Sequence, residues 1–338
     1  MLARILTLLV PAMAAISTGL AARAADNDWE TFKQGFVEAD GRVVDTGQGR
    51  ISHSEGQGFA MVFAVHYEDR ATFERIWQWT QKNLQVREDG LLAWRWEAGR
   101  GVTDKNNATD GDLLVAWALA RAAEKWNVAE YGAAAKRLAQ AVRTRMVRRV
   151  AHGLVVLPGN DGFDKPEGLT INLSYWVFPA FRDLAKVDPT PMWEDLSKSG
   201  VTILGYSYFG RWKLPPDWLK LGERVSPGGT PERFGYDAVR IPIYLLWARL
   251  ETDALMLPYP DFWGQFEGLK WVPAFTNFRD DSIDSQGAAA GIRAVAQVTR
   301  DYPQPRADRL PALEKGESYY SSALLLLAKV ALRERGAR

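Results

Sequence analysis

Apolar residues recur along this chain three and four positions apart, the period of a helix with one face turned inward. The pattern predicts helices over Gly58–Glu68, Ala71–Asn83, Asp110–Trp126, Ala129–Arg149, Leu173–Lys186, Pro191–Tyr206, Asp237–Glu251, Ser285–Thr299 and Glu317–Arg335. In Asp110–Trp126 the residues Leu113, Leu114, Trp117, Ala118 and Leu119 form one stripe, and Leu324, Leu327, Val330 and Leu332 repeat the arrangement near the end. Two short runs, Leu91–Trp96 and Gly153–Leu157, read as strands. Glycine and proline gather in the connections, at Gly99–Gly101, Pro158–Gly168, Pro215–Pro216 and Pro227–Pro231. No low-complexity linker or break in composition divides the chain. An all-α fold of one domain follows, built from antiparallel helix pairs. So many pairs in 338 residues fit a helical toroid, which collects its loops at one end, where function usually sits.

The first residues stand apart from this pattern. Arg4 precedes an apolar run that starts at Ile5–Val10, and Ala22-Arg23-Ala24 has the small-x-small form of a cleavage site. Residues 1–24 therefore read as a secretory signal peptide, leaving 25–338 as the folded domain in a periplasm or the medium. A retained membrane anchor is the competing reading. Pro11, Ser17, Thr18 and Gly19 make the segment a poor span, and no second apolar stretch approaches membrane length.

Composition then narrows the chemistry. The chain has no cysteine, which excludes disulfides, thiol nucleophiles, iron–sulfur clusters and cysteine-based zinc sites. Its three histidines, His53, His66 and His152, fall in no metal-ligand spacing, so no metal and no cofactor is implied. Lys and Arg total 42 against 41 Asp and Glu, a net charge of +1, which offers no bulk charge for nucleic acid or an anionic membrane. Tryptophan is abundant, at 14 residues.

Three acids lie in unusual contexts, each at a helix entrance. Glu55 sits in Ser54-Glu55-Gly56-Gln57-Gly58. Ser54 and Gln57 match a capping box, which leaves Glu55 free to point elsewhere, and the glycines permit close approach. Asp110 and Asp112 open the strongest helix in Asn106-Asn107-Ala108-Thr109-Asp110-Gly111-Asp112. Thr109 and Asp112 resemble a second capping pair. Residues two apart on a helix point to different sides, so Asp110 and Asp112 are expected to differ in role. The run lacks the remaining acids of a calcium loop. Asp237 precedes Arg240 and Pro242, the latter favouring a first helical turn. As an exposed pair Asp237 and Arg240 would need no Phe234 and Tyr236 beside them; in a pocket they would.

In a toroid those three entrances could converge on one cleft. Glycosidic cleavage needs two carboxyl groups and no metal, one protonated to donate to the leaving oxygen and one ionised to activate water or attack carbon. Sugar rings also pack on aromatic faces. Trp94 and Trp96 are two apart in a strand-like run and are expected on one face. Tyr175, Trp176, Tyr206, Tyr208, Trp212, Trp218, Trp263 and Trp271 fall in or near loops, whereas Trp77, Trp117, Trp126 and Trp247 lie on helices and read as core.

These residues carry a family resemblance. Ala108-Thr109-Asp110-Gly111-Asp112-Leu113-Leu114-Val115-Ala116-Trp117-Ala118-Leu119 resembles the signature of glycoside hydrolase family 8, with one departure at Val115, a conservative apolar swap. His53-Ser54-Glu55-Gly56-Gln57-Gly58-Phe59-Ala60-Met61 is similar to the family's general-acid segment, and Tyr236-Asp237-Ala238-Val239-Arg240-Ile241-Pro242 to its general-base segment. Within the family the likeness is greatest to the periplasmic endoglucanases that accompany bacterial cellulose synthase.

The resemblance implies an (α/α)6 barrel and endo-hydrolysis of β-1,4-glucan with inversion. It implies Glu55 as proton donor, Asp237 as the base that activates water, and Asp110 beside the sugar at the cleavage point, holding and distorting it. Asp112 would support the helix start. The residues expected to meet the sugar are Trp94, Trp96, Asn172, Tyr175, Trp176, Tyr236 and Arg240. A cellulose synthase complex is the implied protein partner. Three other readings compete: a glucan-binding protein that guides nascent polymer without cleaving it, a toroidal lyase acting on uronic-acid polymers, and a helical scaffold. The near-neutral charge disfavours the lyase, and a scaffold leaves the three acidic motifs unexplained.

Overall fold

The computed structural model describes residues 27–266 and 271–336; the expected leader, 1–24, lies outside them. A first helix, α1, covers 27–36. After it come α2 (Ser54–His66), α3 (Arg70–Asn83), α4 (Thr109–Trp126), α5 (Ala129–Arg145), α6 (Phe178–Val187) and α7 (Met192–Gly205). Then follow α8 (Ile241–Ala248), the short α9 (Asp253–Met256) and α10 (Pro258–Gly264), α11 (Ala290–Arg300) and α12 (Tyr319–Gly336).

Two kinds of helix are present. In α5 the buried residues are Tyr131, Ala134, Ala135, Leu138, Ala139 and Val142, one stripe with a polar face opposite. Such a helix suits an outer layer. In α2 every residue except Glu55 and His66 is buried; α8 is buried from Ile241 to Trp247 and α12 from Ser321 to Leu332. A helix apolar all round must be enclosed. Helices α2, α4, α6, α8, α11 and α12 pack in that order as an inner ring, α12 returning onto α2. Helices α1, α3, α5, α7 and α10 lie against the ring from outside. Where a sixth outer helix would stand, the chain makes a 3-10 turn, Ala307–Arg309, against α12. This is the expected (α/α)6 barrel.

Two glycines set the tightest seam of the ring. A side chain at Gly58 would bring its Cβ to 2.6 Å from the Leu114 Cβ, and one at Gly111 would lie 2.7 Å from the Glu55 backbone nitrogen. The starts of α2 and α4 can therefore touch, which places Glu55 and Asp110 side by side.

Strands are short and confined to the loops. They are β1 (Ser52–His53), β2 (Arg95–Glu97) and β3 (Gly101–Asp104) in one sheet, and β4 (Val147–Val150) with β5 (Gly153–Val156) in a hairpin. A four-stranded antiparallel sheet holds β6 (Asp164–Lys165), β7 (Gly168–Ile171), β8 (Trp218–Leu221) and β9 (Val225–Gly228), and β10 (Arg233–Phe234) pairs with β11 (Thr276–Asn277). The helix expected to reach Arg149 thus ends at Arg145, because Val147 and Val150 pair across to Val156 and Gly153. Leu91, Leu92 and Ala93 are buried but lie outside the strand, which begins at Arg95. The helices expected from Leu173 and Asp237 each begin as a separate 3-10 turn, Leu173–Tyr175 and Ala238–Arg240.

Candidate active site

At one end of the ring lies a cavity of about 660 Å³ to which all six inner helices present their N-terminal ends. Ser54 and Glu55 come from α2, Asp110 from α4, Tyr175 from just ahead of α6, and Asp237 and Arg240 from just ahead of α8. Ile292 comes from α11, and Tyr320 and Ser321 from α12. Aligned helix dipoles at six helix starts make this space favourable for negative charge.

Glu55 is the one residue among the first twelve of α2 that is not buried, and it faces the cavity. The expected Ser54–Gln57 capping box does not form. His53 is the N-cap, its Nδ1 accepting from the Gly56 N–H at 2.9 Å, and its Nε2 faces Asp45 at 3.3 Å. Gln57 is drawn away into the core, where its Oε1 accepts from the Val43 N–H and its Nε2 donates to Thr80 Oγ1. A buried amide takes whichever partners satisfy most of its groups, and here the core offered more than the helix end.

Asp110 and Asp112 separate as the helical angle requires. Asp112 is fully buried and points away from the cavity; it accepts from the Leu92 N–H and from Asn107 Nδ2, each at 2.8 Å. Thr109 does not cap with it: Ala108 holds the cap position, and the Thr109 hydroxyl donates to the Leu157 carbonyl. Asp110 turns to the cavity. Its Oδ1 accepts from the Gly111 N–H, and its buried Oδ2 has no hydrogen-bond partner among the described residues. Burial pushes the Asp110 carboxyl up to about 7.

Asp237 stands on the turn between β10 and α8, and that turn is bolted from below. Asp217 Oδ1 accepts three backbone N–H groups, from Gly235 at 2.9 Å, Asp237 at 3.0 Å and Ala238 at 2.9 Å. Its Oδ2 takes Arg233 Nε at 3.1 Å. Burial and the charges of Asp217 and Asp110 raise the Asp237 carboxyl well above the usual aspartate range. A raised pKa makes Asp237 a stronger proton acceptor than an ordinary aspartate.

Arg240 joins the three acids. Its guanidinium is 2% exposed; Nη1 contacts Glu55 Oε1 and lies 3.5 Å from Asp110 Oδ2, while Nη2 is 2.9 Å from Asp237 Oδ1 and 2.8 Å from Ser174 Oγ. The Asp237–Arg240 pair is thus part of a buried network rather than a surface contact. Three carboxyl groups share one cation in a poorly hydrated space, so full ionisation of all three is costly and the cluster retains a proton that the pH range near neutrality can move. Such a cluster can supply a proton on one side of a ligand and accept one on the other.

The aromatic expectations divide. Trp94, Tyr175 and Tyr236 line the cavity. Trp96 does not: its ring packs edge-on to Trp79 at 5.2 Å with the Arg42 guanidinium over it at 4.7 Å. The cause is a register shift between Arg95 and Trp96, which breaks the alternation that would have put both tryptophans on one face. Trp176 is fully buried against Gly200, with its Nε1 donating to the Leu196 carbonyl, and belongs to the core. Asn172 also lies behind the cavity wall, where its Oδ1 accepts from the Ser174 N–H and caps the turn that carries Tyr175. Trp77, Trp117 and Trp247 are core residues as expected, and Trp126 packs on the core partly buried.

The sequence reading missed Asp45, Ser174, Asp217 and Tyr320. His53 carried a signal, since it directly precedes the Ser54-Glu55 pair. Asp217 and Asp45 carried none, because they reach the site only through loop folding.

Comparison with known proteins agrees with this fold. The family model for glycosyl hydrolases family 8 matches residues 2–334. A probable endoglucanase from Novacetimonas hansenii is 36% identical over 92% of this chain and 92% of its own. The solved endo-beta-1,4-glucanase CMCax from Acetobacter xylinum superposes with a TM-score of 0.87 at 36% identity, covering 93% of this chain and 98% of that one. A GH8 endo-beta-1,4-glucanase from an Achatina fulica gut metagenomic library gives a TM-score of 0.85 at 38% identity, covering 93% and 98%. The carboxyl cluster at the mouth of the ring thus belongs to a chain that is a member of glycosyl hydrolase family 8.

Proposed function

We propose that this protein is an endo-β-1,4-glucanase that cleaves its substrate with inversion at the anomeric carbon. The observation that carries the reading is the trio of Glu55, Asp110 and Asp237 around the Arg240 guanidinium in the one cavity that all six inner helices share. Glu55 protonates the leaving oxygen. Asp237, with its raised basicity, takes a proton from the attacking water. Inversion requires room for that water between the two carboxyl groups, which in such enzymes stand roughly 6.5–9.5 Å apart. Asp110 holds the sugar at the cleavage point, where its free oxygen can accept from a sugar hydroxyl. Trp94, Tyr175 and Tyr236 offer ring faces along the cavity wall, and Arg240 orients the acids.

Residues 1–24 serve as a cleavable export signal and 25–338 act in the periplasm or medium beside a cellulose synthase complex. Support comes from the leader pattern and from the endoglucanase of Novacetimonas hansenii among the relatives. Among the described residues no helix is long and apolar enough to cross a membrane.

The test is hydrolysis of carboxymethylcellulose by Glu55→Gln and Asp237→Asn. Each is expected to lose at least about 10²–10⁴-fold in kcat, the usual contribution of a general acid or base, with an unchanged circular dichroism spectrum. Fresh product from the wild-type enzyme should be the α-anomer by proton NMR. A β-anomer would mean retention and a different role for Asp237, and polymer binding without any cleavage would favour the glucan-guiding reading.

A further inference from the structure

Asp217 is a buried carboxylate that meets no ligand surface; it lies under the turn of Asp237 and outside the cavity lining. Its connections are unusually one-sided. One oxygen gathers the N–H groups of Gly235, Asp237 and Ala238, and the other faces Arg233. The Asp217 N–H also donates to the Arg233 carbonyl at 2.8 Å, so Asp217 and Arg233 grip each other through both backbone and side chain. A fully bonded anion beneath a turn does two things: it fixes the backbone, and it sets the local field on the next carboxyl group.

Building on the assignment of Asp237 as general base, we propose that Asp217 is a positioning residue for that base. It locks the turn that presents Asp237, and its negative charge keeps Asp237 proton-accepting, with Arg233 as the counterweight that limits the effect. Asp110 adds to the electrostatic effect, but among the described residues Asp217 alone joins it to a side-chain hydrogen bond with the Asp237 N–H. Arg240, on the same turn, stabilises the ionised form of Asp237 but divides its charge with Glu55. Asp110 acts from α4, Tyr175 from the turn before α6, and Tyr320 from α12. Of these carboxylates Asp217 alone is bonded to the Asp237 backbone, so its charge is held at a constant distance while substrate enters and leaves.

The experiment is a pH profile of kcat/KM and kcat on soluble carboxymethylcellulose for the full chain. Asp217→Asn keeps an oxygen for the three N–H groups but removes the charge. The acidic limb, where the base becomes protonated, should move to lower pH by about half a unit or more. At the optimum kcat should fall about 10-fold with KM within about 3-fold, because a weaker base lowers the rate of proton abstraction. Arg233→Gln removes the counterweight, so its acidic limb should move to higher pH. Opposite shifts in two variants of one bonded pair are not what a merely structural contact produces, since loss of packing would lower both activities without moving either limb.

If both variants fold by circular dichroism and keep the wild-type limb, the proposal is overturned. If Asp217→Asn does not fold, Arg233→Gln decides alone by the sign of its shift. Asp237→Asn separates the two levels of the argument. Full activity in that variant removes the base assignment and this proposal with it, whereas an inactive Asp237→Asn beside an unshifted Asp217→Asn removes only the role of Asp217.

Discussion

The two ends of the helical ring treat a buried carboxyl group in opposite ways. At the mouth, Asp110 has one oxygen without a hydrogen-bond partner among the described residues, shares a single guanidinium with two other acids, and is pushed by burial up to about 7. At the far end, Glu334 near the close of α12 accepts from His66 Nδ1 and Trp247 Nε1, each at 3.0 Å, and from Arg121. Burial raises its pKa too, but the bond to His66 and the charge of Arg121 outweigh it and hold the carboxyl at about 2. Those partners sit toward the C-terminal ends of α2, α4 and α8, where cations also suit the helix dipoles. The far end is arranged for stability, with the Glu334 carboxylate held by three donors. The mouth carries more acid than it can neutralise, and that surplus is what a proton-transferring site requires.

The comparison breaks first at Asp110. Asp110→Asn should cost about 100-fold or more in kcat, near 3 kcal/mol of barrier, if the carboxylate holds the sugar in the transition state. Stability should move the other way. A folded pKa raised from 3.8 to about 7 contributes stability below pH 3.8 that is lost as pH rises through 7. The variant should therefore gain about 1 kcal/mol over wild type above pH 7, read by urea titration. A variant that is both less active and less stable at pH 8 would place Asp110 among the structural residues.

Glu334→Gln probes the other end and should give the mirror image. Glu334 is lowered from 4.5 to about 2, so its contribution is present above pH 4.5 and is lost as pH falls toward 2. Replacement leaves His66 and Arg121 facing a neutral amide and should cost about 2–3 kcal/mol at pH 7, with little difference from wild type near pH 2. Its kcat at 25 °C should be unchanged. A fall in kcat with stability intact would erase the division between the ends.

The division also marks how far the sequence could be read. The helices were legible because their periodicity is a local property of the chain, whereas the all-round burial of α2, α8 and α12 shows only in the assembled ring. Glu55, Asp110 and Asp237 were legible because glycine or helix-start signals lay beside each in the chain. Gln57 and Thr109 matched capping patterns but found better partners in the core, Thr80 and Leu157, which lie 23 and 48 residues of chain away. Asp217, twenty residues before the turn it anchors, left no trace in any spacing. Residues whose role depends on which loop lies beneath which become visible only in the folded chain.

The smallest effect expected concerns the tryptophans, whose separation at one register shift is the sharpest local contrast in the molecule. Trp94 faces the cavity at the mouth, and Trp96 has turned to Trp79 and Arg42. Trp94→Ala should raise KM for soluble β-glucan by about 5-fold, the worth of one ring contact of about 1 kcal/mol, and leave the urea midpoint near that of wild type. Trp96→Ala should leave KM in place and lower stability by about 1–2 kcal/mol, since it removes an aromatic pair and a cation–π contact from a half-buried position. Equal KM shifts in the two variants would mean that the strand slips back to regular alternation when sugar binds, bringing both rings to the cavity. That outcome would make the bulge at Arg95 a part of substrate recognition rather than a fixed feature of the loop.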